Sequence, residues 1–582
     1  MSAYDKTPRT RLADGQRILL DADAWTAVAD AAHNIERPVI AIDAYPGTDM
    51  AALLAHVSAG LPSFEIIDVE AAARPGEELT GWMQANLTDD RVFGILSHAR
   101  IDVFYDDDAV GALRDELARR EGGVVLVGWG ASHVAPAADV VVLGELARWE
   151  IQQRYRAGAA NWHADNGDED VLRKIKRGYF IEWRVADRHK RPLLQTADFV
   201  LDLNRSDRIA AITGEAFRGA VTELSHGPFR LVPYFDPGVW GGQWMREVCG
   251  LPDEAPNYAW SFDGVPEENS LLLTDGDAVF EIPAIDLVFA RPVELLGRRT
   301  HARFGAEFPI RFDFLDTMGG GNLSLQVHPL ADYIRDRFGM AYTQDESYYL
   351  LDAGEGAVVY LGLKTGVDPA ALERDLIAAQ SGGPSFPAQH YVNAYPARTH
   401  DHFAIPAGTV HCSGADAMVL EISATPYLFT FKMWDWDRVG LDGAPRPIHL
   451  DHALANIQWD RDTEWVGDNL VAQVEVVDQG DGWVEERTGL HELEFIEVRR
   501  HWFTDVVRHD TEGTVNMLNL VEGDEAIIES PSGAFAPFIV HYAETFVVPA
   551  AVGAYTIRPH GRGVGRRLAT VKAYVRGTRR GE

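Results

Sequence analysis

Asn322-Leu323-Ser324-Leu325-Gln326-Val327-His328-Pro329 alternates apolar and polar residues and stops at a proline. Side chains alternate across a β-strand, so Gln326 and His328, two apart, point to the same face. Downstream, Gln344-Asp345-Glu346-Ser347-Tyr348-Tyr349-Leu350 opens the next strand with an acid, and Pro406-Ala407-Gly408-Thr409-Val410-His411 is a turn that delivers a histidine into a strand. One amide oxygen, two imidazoles and one carboxylate make a first shell for Zn²⁺ or a similar divalent ion. Such a mixed N/O set leaves positions for water or a substrate hydroxyl, which points to chemistry rather than to a closed structural site. His400 and His402, also two apart, are further candidates that spacing does not exclude.

Outward from this core the texture is uniform. From about Arg218–Pro237 onward, Gly and Pro recur every ten or so residues between short alternating strands, the pattern of an antiparallel β domain. Asp368 to Gln380 reads as a helical insertion, and the β texture returns from Trp483 to the end. The turn Pro549-Ala550-Ala551-Val552-Gly553 echoes the one before His411 without a histidine, so two similar barrels are expected, only the first with a metal. His541 and Glu544 are expected on a solvated edge of the second.

The first third alternates β and α. Pro38–Gly47, Gly122–Ser132 and Ala138–Leu146 are apolar strands with helical spacing between them, which means a parallel sheet covered on both faces. The turn after the first strand, Asp43 to Ala51, is where a P-loop would cradle phosphates, yet it holds one glycine, no lysine and an aspartate. Lys174 and Lys176 read as a solvated helix face.

Hydrophobic residues at 46% and charged residues at 24% describe a folded soluble protein. The 88 Asp and Glu against 53 Lys and Arg leave a net charge of −35, which disfavours nucleic acid and anionic membranes as partners. Two cysteines, Cys249 and Cys412, are too few for a disulfide framework. With no apolar leader and no membrane-length apolar run, a cytoplasmic protein is expected. Only seven residues are lysine.

From about Tyr234 to Ile457 the motifs resemble those of the class I mannose-6-phosphate isomerases, zinc-dependent cupin enzymes. The likeness lies in VWGGQWM (239–245), FDFLDTMGGGNLSLQVHP (312–329), QDESYYLL (344–351), IPAGTVHCSG (405–414) and, most specifically, MWDWDRVGLDGAPRPIHLDHALANI (433–457). The resemblance implies that Gln326, His328, Glu346 and His411 hold one zinc ion, that Arg438 is an active-site cation, and that Lys432 stands about where the family carries an arginine. It also implies interconversion of mannose 6-phosphate and fructose 6-phosphate through an enediol. Two lysines common near the family's sugar phosphate are replaced here by Asp313 and Gln344, leaving Arg303, Arg311 and Arg446 as cations for a phosphate. The alternatives are an unphosphorylated sugar, or a non-catalytic sugar-binding regulator with a relict metal site. Residues 30 to about 215 resemble the nucleoside and uridine kinase branch of the P-loop NTPases, without the motif lysine. The expected fold is therefore multidomain: an N-terminal extension (1–29), a degenerate P-loop-kinase-like α/β domain (30–220), a metal-binding cupin with a helical insertion (221–465) and a second, metal-free cupin-like jelly roll (466–582). The expected partner is a small sugar or sugar phosphate.

Overall fold

Continuous runs of Val, Ile and Leu need cover on both faces, and the first third supplies it. The computed structural model describes residues 3–441, 443, 446–489 and 491–577; residues 442, 444 and 445 of the long 433–457 motif lie outside them. The chain divides into two units, one of residues 9–224 with 266–291, the other of residues 1–8, 225–265 and 292–582.

In the first unit, Val39–Ala44 is the central one of five parallel strands in a seven-stranded sheet, paired in parallel with Val124–Gly128 on one side and Val140–Glu145 on the other. Glu65–Asp68 and Phe199–Asp202 extend it in parallel, and Ala210–Thr213 and Leu19–Leu20 close one edge antiparallel. Ile40, Ile42, Val125, Val142 and Leu201 pack with Trp25, Val28 and Val57 from two helices, Ala22–Ala32 and Met50–Gly60.

The turn after the central strand is closed by its own neighbours. Asp43 accepts from Gly130 N (3.0 Å) and Ser132 N (2.9 Å), and its Oδ2 lies 2.8 Å from His189 Nε2. Burial would raise its carboxyl, but these partners outweigh that and hold it below the usual range. Gly47 adopts φ +99°, and a Cβ there would come within 2.9 Å of Ile151, so the helix Arg148–Arg156 rests directly on the turn. Lys174 and Lys176 are not a solvated face. Both are buried; Lys174 Nζ donates to the carbonyls of Tyr155, Ala159 and Gly167 at 2.7–3.1 Å, and Lys176 to that of Asp90. They tie down the segment after Tyr155, a use that a charge run alone does not reveal.

The second unit is mostly antiparallel β. A six-stranded sheet is built from Tyr234–Asp236, Trp260–Gly264, Ile310–Asp316, Ala417–Ala424, Glu346–Ala353 and His402–Ile405. A five-stranded sheet is built from Phe431–Trp434, Leu325–Val327, His411–Ser413, Val358–Leu363 and Val392–Pro396. The helix Pro369–Gln380 is the expected insertion, capped by Asp368. Residues 475–575 repeat the arrangement with sheets of six and four strands around Leu518, Leu520, Ile528, Phe546 and Ile557. Glu544 is not on a solvated edge: it is buried and ion-paired with Arg230 at 2.7 Å, its charge compensated inside the protein.

Candidate metal centre

Register brings the candidate ligands together. Gln326 faces His411 across one ladder and Lys432 across the other, so all three side chains lie on one face of the five-stranded sheet. Glu346 comes from the six-stranded sheet. His328, His411 and Glu346 are fully buried, with donor atoms all within 4.8 Å of one another. His411 Nε2 is 2.7 Å from Glu346 Oε1, and His328 Nε2 is 3.1 Å from Glu346 Oε2.

The turn before His411 is held from several sides. Gly408 N donates to His328 O (2.9 Å), Ala407 N to Asp345 Oδ1 (2.8 Å), and Arg461 to the Pro406 and Ala407 carbonyls. Gly408 has φ +86°, and a Cβ there would sit 2.9 Å from Asn456 O, so only glycine fits. Backbone carbonyls then set the tautomers: His411 Nδ1 donates to Thr409 O (2.8 Å) and His328 Nδ1 to Phe429 O (3.2 Å), turning both Nε2 lone pairs towards Glu346. Among the described residues, His328 Nε2 and Glu346 Oε1 are buried and make no hydrogen bond; the 2.7 Å approach of His411 is out of hydrogen-bond alignment. Lone pairs aimed at a carboxylate in a dry interior call for a cation between them. Gln326 fits as well, because its amide lies 3.2 Å from His411 Nε2 and a half-turn of the amide presents the oxygen. Burial opposes charge on both partners, yet the two imidazoles hold the Glu346 carboxyl well below the usual range, and Glu346 raises His328.

Gln344 donates to Glu346 Oε2 (2.9 Å) and Glu421 Oε1 (3.1 Å), so it orients the carboxylate rather than facing a phosphate. Asp313 pairs with Arg311 at 2.7 Å, and Arg311 also binds Glu421. Arg311 is thereby consumed inside the barrel and is not a phosphate cation. Arg303 stacks on Phe304 and Phe495 instead. Arg438 and Arg446 share one acid, Asp435, at 2.6 and 2.7 Å. Asp435 accepts from Ser324 (2.9 Å), two residues before Gln326, which places this pair one step along the ligand strand.

Glu421 and Tyr348 were missed in the sequence. Burial and the charge of Glu346 push Glu421 up to about 8, and among the described residues the buried Tyr348 hydroxyl has no hydrogen-bond partner. A lone acid inside AMVLEISA (417–424), and Tyr348 at period two from Glu346, were the available signals. His400 and His402 are not ligands of this centre. His400 hydrogen-bonds Tyr349 and faces Glu522, while both His402 nitrogens are taken by Thr488 (2.9 Å) and Ser347 (2.8 Å).

His402 has a consequence for acid stability. Burial, aided by Arg500, lowers it to about 3, whereas an unfolded histidine protonates near about 6.5. Stability is therefore present above about pH 6.5 and is lost as pH falls towards 3, amounting to about 3 kcal/mol between pH 7 and pH 4. Urea denaturation at the two pH values should show that loss, and His402→Gln should remove most of it.

Comparison with known proteins follows the same division of the chain. Residues 24–226 match a family described as a domain of unknown function (DUF8485). A mannose-6-phosphate isomerase of Streptococcus mutans is 27% identical over 218 residues, which is 37% of this chain and 63% of that protein. Mannose-6-phosphate isomerase ManA of Bacillus subtilis is 23% identical over 232 residues, 40% of this chain and 68% of that protein. The crystal structure of the mannose 6-phosphate isomerase from Bacillus subtilis superposes with a TM-score of 0.47 at 17% identity, covering 60% of this chain and all of that one. The curated relatives of this chain are thus mannose-6-phosphate isomerases, and the chain spans a little under two thirds of the length of the Streptococcus mutans one.

Proposed function

We propose that the first barrel is a metal-dependent aldose–ketose isomerase acting on mannose 6-phosphate and fructose 6-phosphate or a close relative. The observation that carries this reading is the convergence of His328, Glu346 and His411 with unsatisfied buried lone pairs. Gln326, His328, Glu346 and His411 would hold one divalent ion, of which zinc suits the two imidazoles and the carboxylate. Bound there, the ion would polarise the sugar's carbonyl and hydroxyl oxygens and lower the barrier to enolisation. The remaining work falls to the chain. Lys432, beside Gln326 on the ligand face, offers a cation to oxygen charge developing in an enediolate. Arg438 and Arg446 carry one positive charge more than Asp435 neutralises, and in this reading they are the cations that take a phosphate. Gln344 and the Glu421–Arg311–Asp313 network keep Glu346 in one orientation.

The network also favours a second reading, sugar recognition without turnover, because Asp313 and Gln344 stand where lysines would serve a phosphate. The first unit fits a kinase-like domain without phosphoryl transfer. In chain order its five parallel strands run 2-3-1-4-5 across the sheet. Ile151 covers Gly47, Arg154 donates to Gly47 O (3.0 Å), and the turn from Asp43 to Ala51 carries no lysine of its own.

Isomerase assays of the metal-loaded protein test these readings together. Turnover of the two sugar phosphates, with Lys432→Ala slower by about 10²-fold or more, is the expected result. Binding of sugar with no isomerisation of either phosphate or free sugar would select the second reading. ATP consumption in the same mixture would overturn the reading of the first unit.

A further inference from the structure

The interior of the second barrel is split by polarity. Phe503, Leu518, Leu520, Ile528 and Phe546 fill one end. At the other, Glu485, Arg499, His501, His509, Asn516 and Lys572 line a cavity of about 330 Å³. Register sets this face: Glu485 pairs with His501, and Arg499 pairs with Lys572, which lies opposite Leu518 on its other side.

The floor of the cavity is underused chemistry. Among the described residues, the buried His509 has no hydrogen bond at either ring nitrogen; its ring stacks on Tyr555 at 5.0 Å and meets His501 edge-on at 4.4 Å. His501 Nδ1 also has no hydrogen-bond partner among the described residues. Lys572 is only 8% exposed, and among the described residues its ammonium has no hydrogen bond and no ion pair; it lies 5.5 Å from the centre of the Tyr574 ring. The other three buried lysines are satisfied, Lys174 and Lys176 by carbonyls and Lys190 by Glu145 and Asp286. Interiors do not keep an unpaired ammonium without a counter-charge.

We propose that the polar end of the second barrel binds a small organic anion, a carboxylate or phosphate ester, whose charge meets Lys572 and whose polar groups take up the free nitrogens of His501 and His509. Burial keeps both imidazoles neutral, His501 down to about 4; His509 offers one donor and one acceptor, while His501, whose Nε2 faces Glu485, offers Nδ1. Lys572 is lowered by burial but held up by Glu485, Glu512 and Asp510, and a bound anion would hold it further. Of the acids nearby, Glu485 already faces His501 (3.4 Å) and Arg499 (3.7 Å), and Asp478, Asp510 and Glu512 stand exposed at the rim, where solvent screens them. The cavity is of a size for a dicarboxylate or a sugar phosphate.

Isothermal titration of the full-length protein at constant ionic strength tests this, with inorganic phosphate, malonate, mannose 6-phosphate and neutral mannose as probes. Using the His411→Ala background separates the result from the first barrel, so failure here leaves the isomerase reading untouched. One equivalent of phosphate, mannose 6-phosphate or malonate should bind, and Lys572→Met should weaken it at least about tenfold while Lys572→Arg retains it. Phosphate alone would identify a phosphate ester, and malonate alone a carboxylate. Should Lys572→Met fail to fold, His509→Leu must show the same loss. Equal affinity in the folded Lys572→Met protein, or binding of mannose only, or no binding at millimolar anion, would overturn the proposal.

Discussion

Replacing His411 by alanine should leave a folded protein that no longer retains its metal and isomerises sugar phosphate at least about 10³-fold more slowly, the several kcal/mol that a polarising cation supplies. The reason is the dry, divided geometry of the site. His411 shares Glu346 with His328, and its Nδ1 is fixed by Thr409 O. Removing the imidazole takes away one of the two groups that keep Glu346 ionised against burial, and the carboxyl should then take up a proton instead of a metal. Metal content by elemental analysis, circular dichroism and a coupled isomerase assay read the three parts of the prediction. Full metal occupancy in His411→Ala would remove this histidine from the ligand set.

Replacing Lys190 by methionine should destabilise the first unit by about 3–5 kcal/mol, because removal of one partner leaves buried opposite charges uncompensated. Lys190 Nζ lies 2.8 Å from Glu145 and 2.6 Å from Asp286, and both acids are fully buried. Burial pushes both carboxyls up, and Lys190 is what opposes it. Its ammonium also sits 4.8 Å from the Tyr45 ring, in the turn after the central strand. A calorimetric scan should resolve a transition of this unit that falls by about 10 °C, with any second transition unmoved. Adding Glu145→Gln and Asp286→Asn should restore part of the loss, since neutral amides carry no buried charge. An unchanged scan for Lys190→Met would show that the network contributes little.

Much of the candidate site was legible before any coordinates. Period two places Gln326 and His328 on one strand face, and the PAGTVH turn delivers His411 at a strand start; both are local consequences of residue type and spacing. The parallel character of the first sheet was equally legible in its unbroken apolar strands. Less was legible wherever a side chain's meaning depends on a distant partner. Spacing alone did not exclude His400 and His402 as further ligands; Tyr349, Glu522, Thr488 and Ser347 take up their nitrogens. Lys174 and Lys176 looked solvated until carbonyls from segments elsewhere in the chain enclosed them.

By itself the sequence determined the donor types, the strand faces that carry them and the absence of a lysine from the first turn, because these follow from covalent order and the two-residue period. Only the tertiary structure decided that Glu346 crosses from the opposite sheet to meet two imidazoles, that Arg311 is consumed by Asp313 and Glu421, and that Lys572 is the buried lysine with no hydrogen bond or ion pair among the described residues. Charge state and ligand capacity are set by burial and by neighbours tens or hundreds of residues away, and no local pattern encodes those.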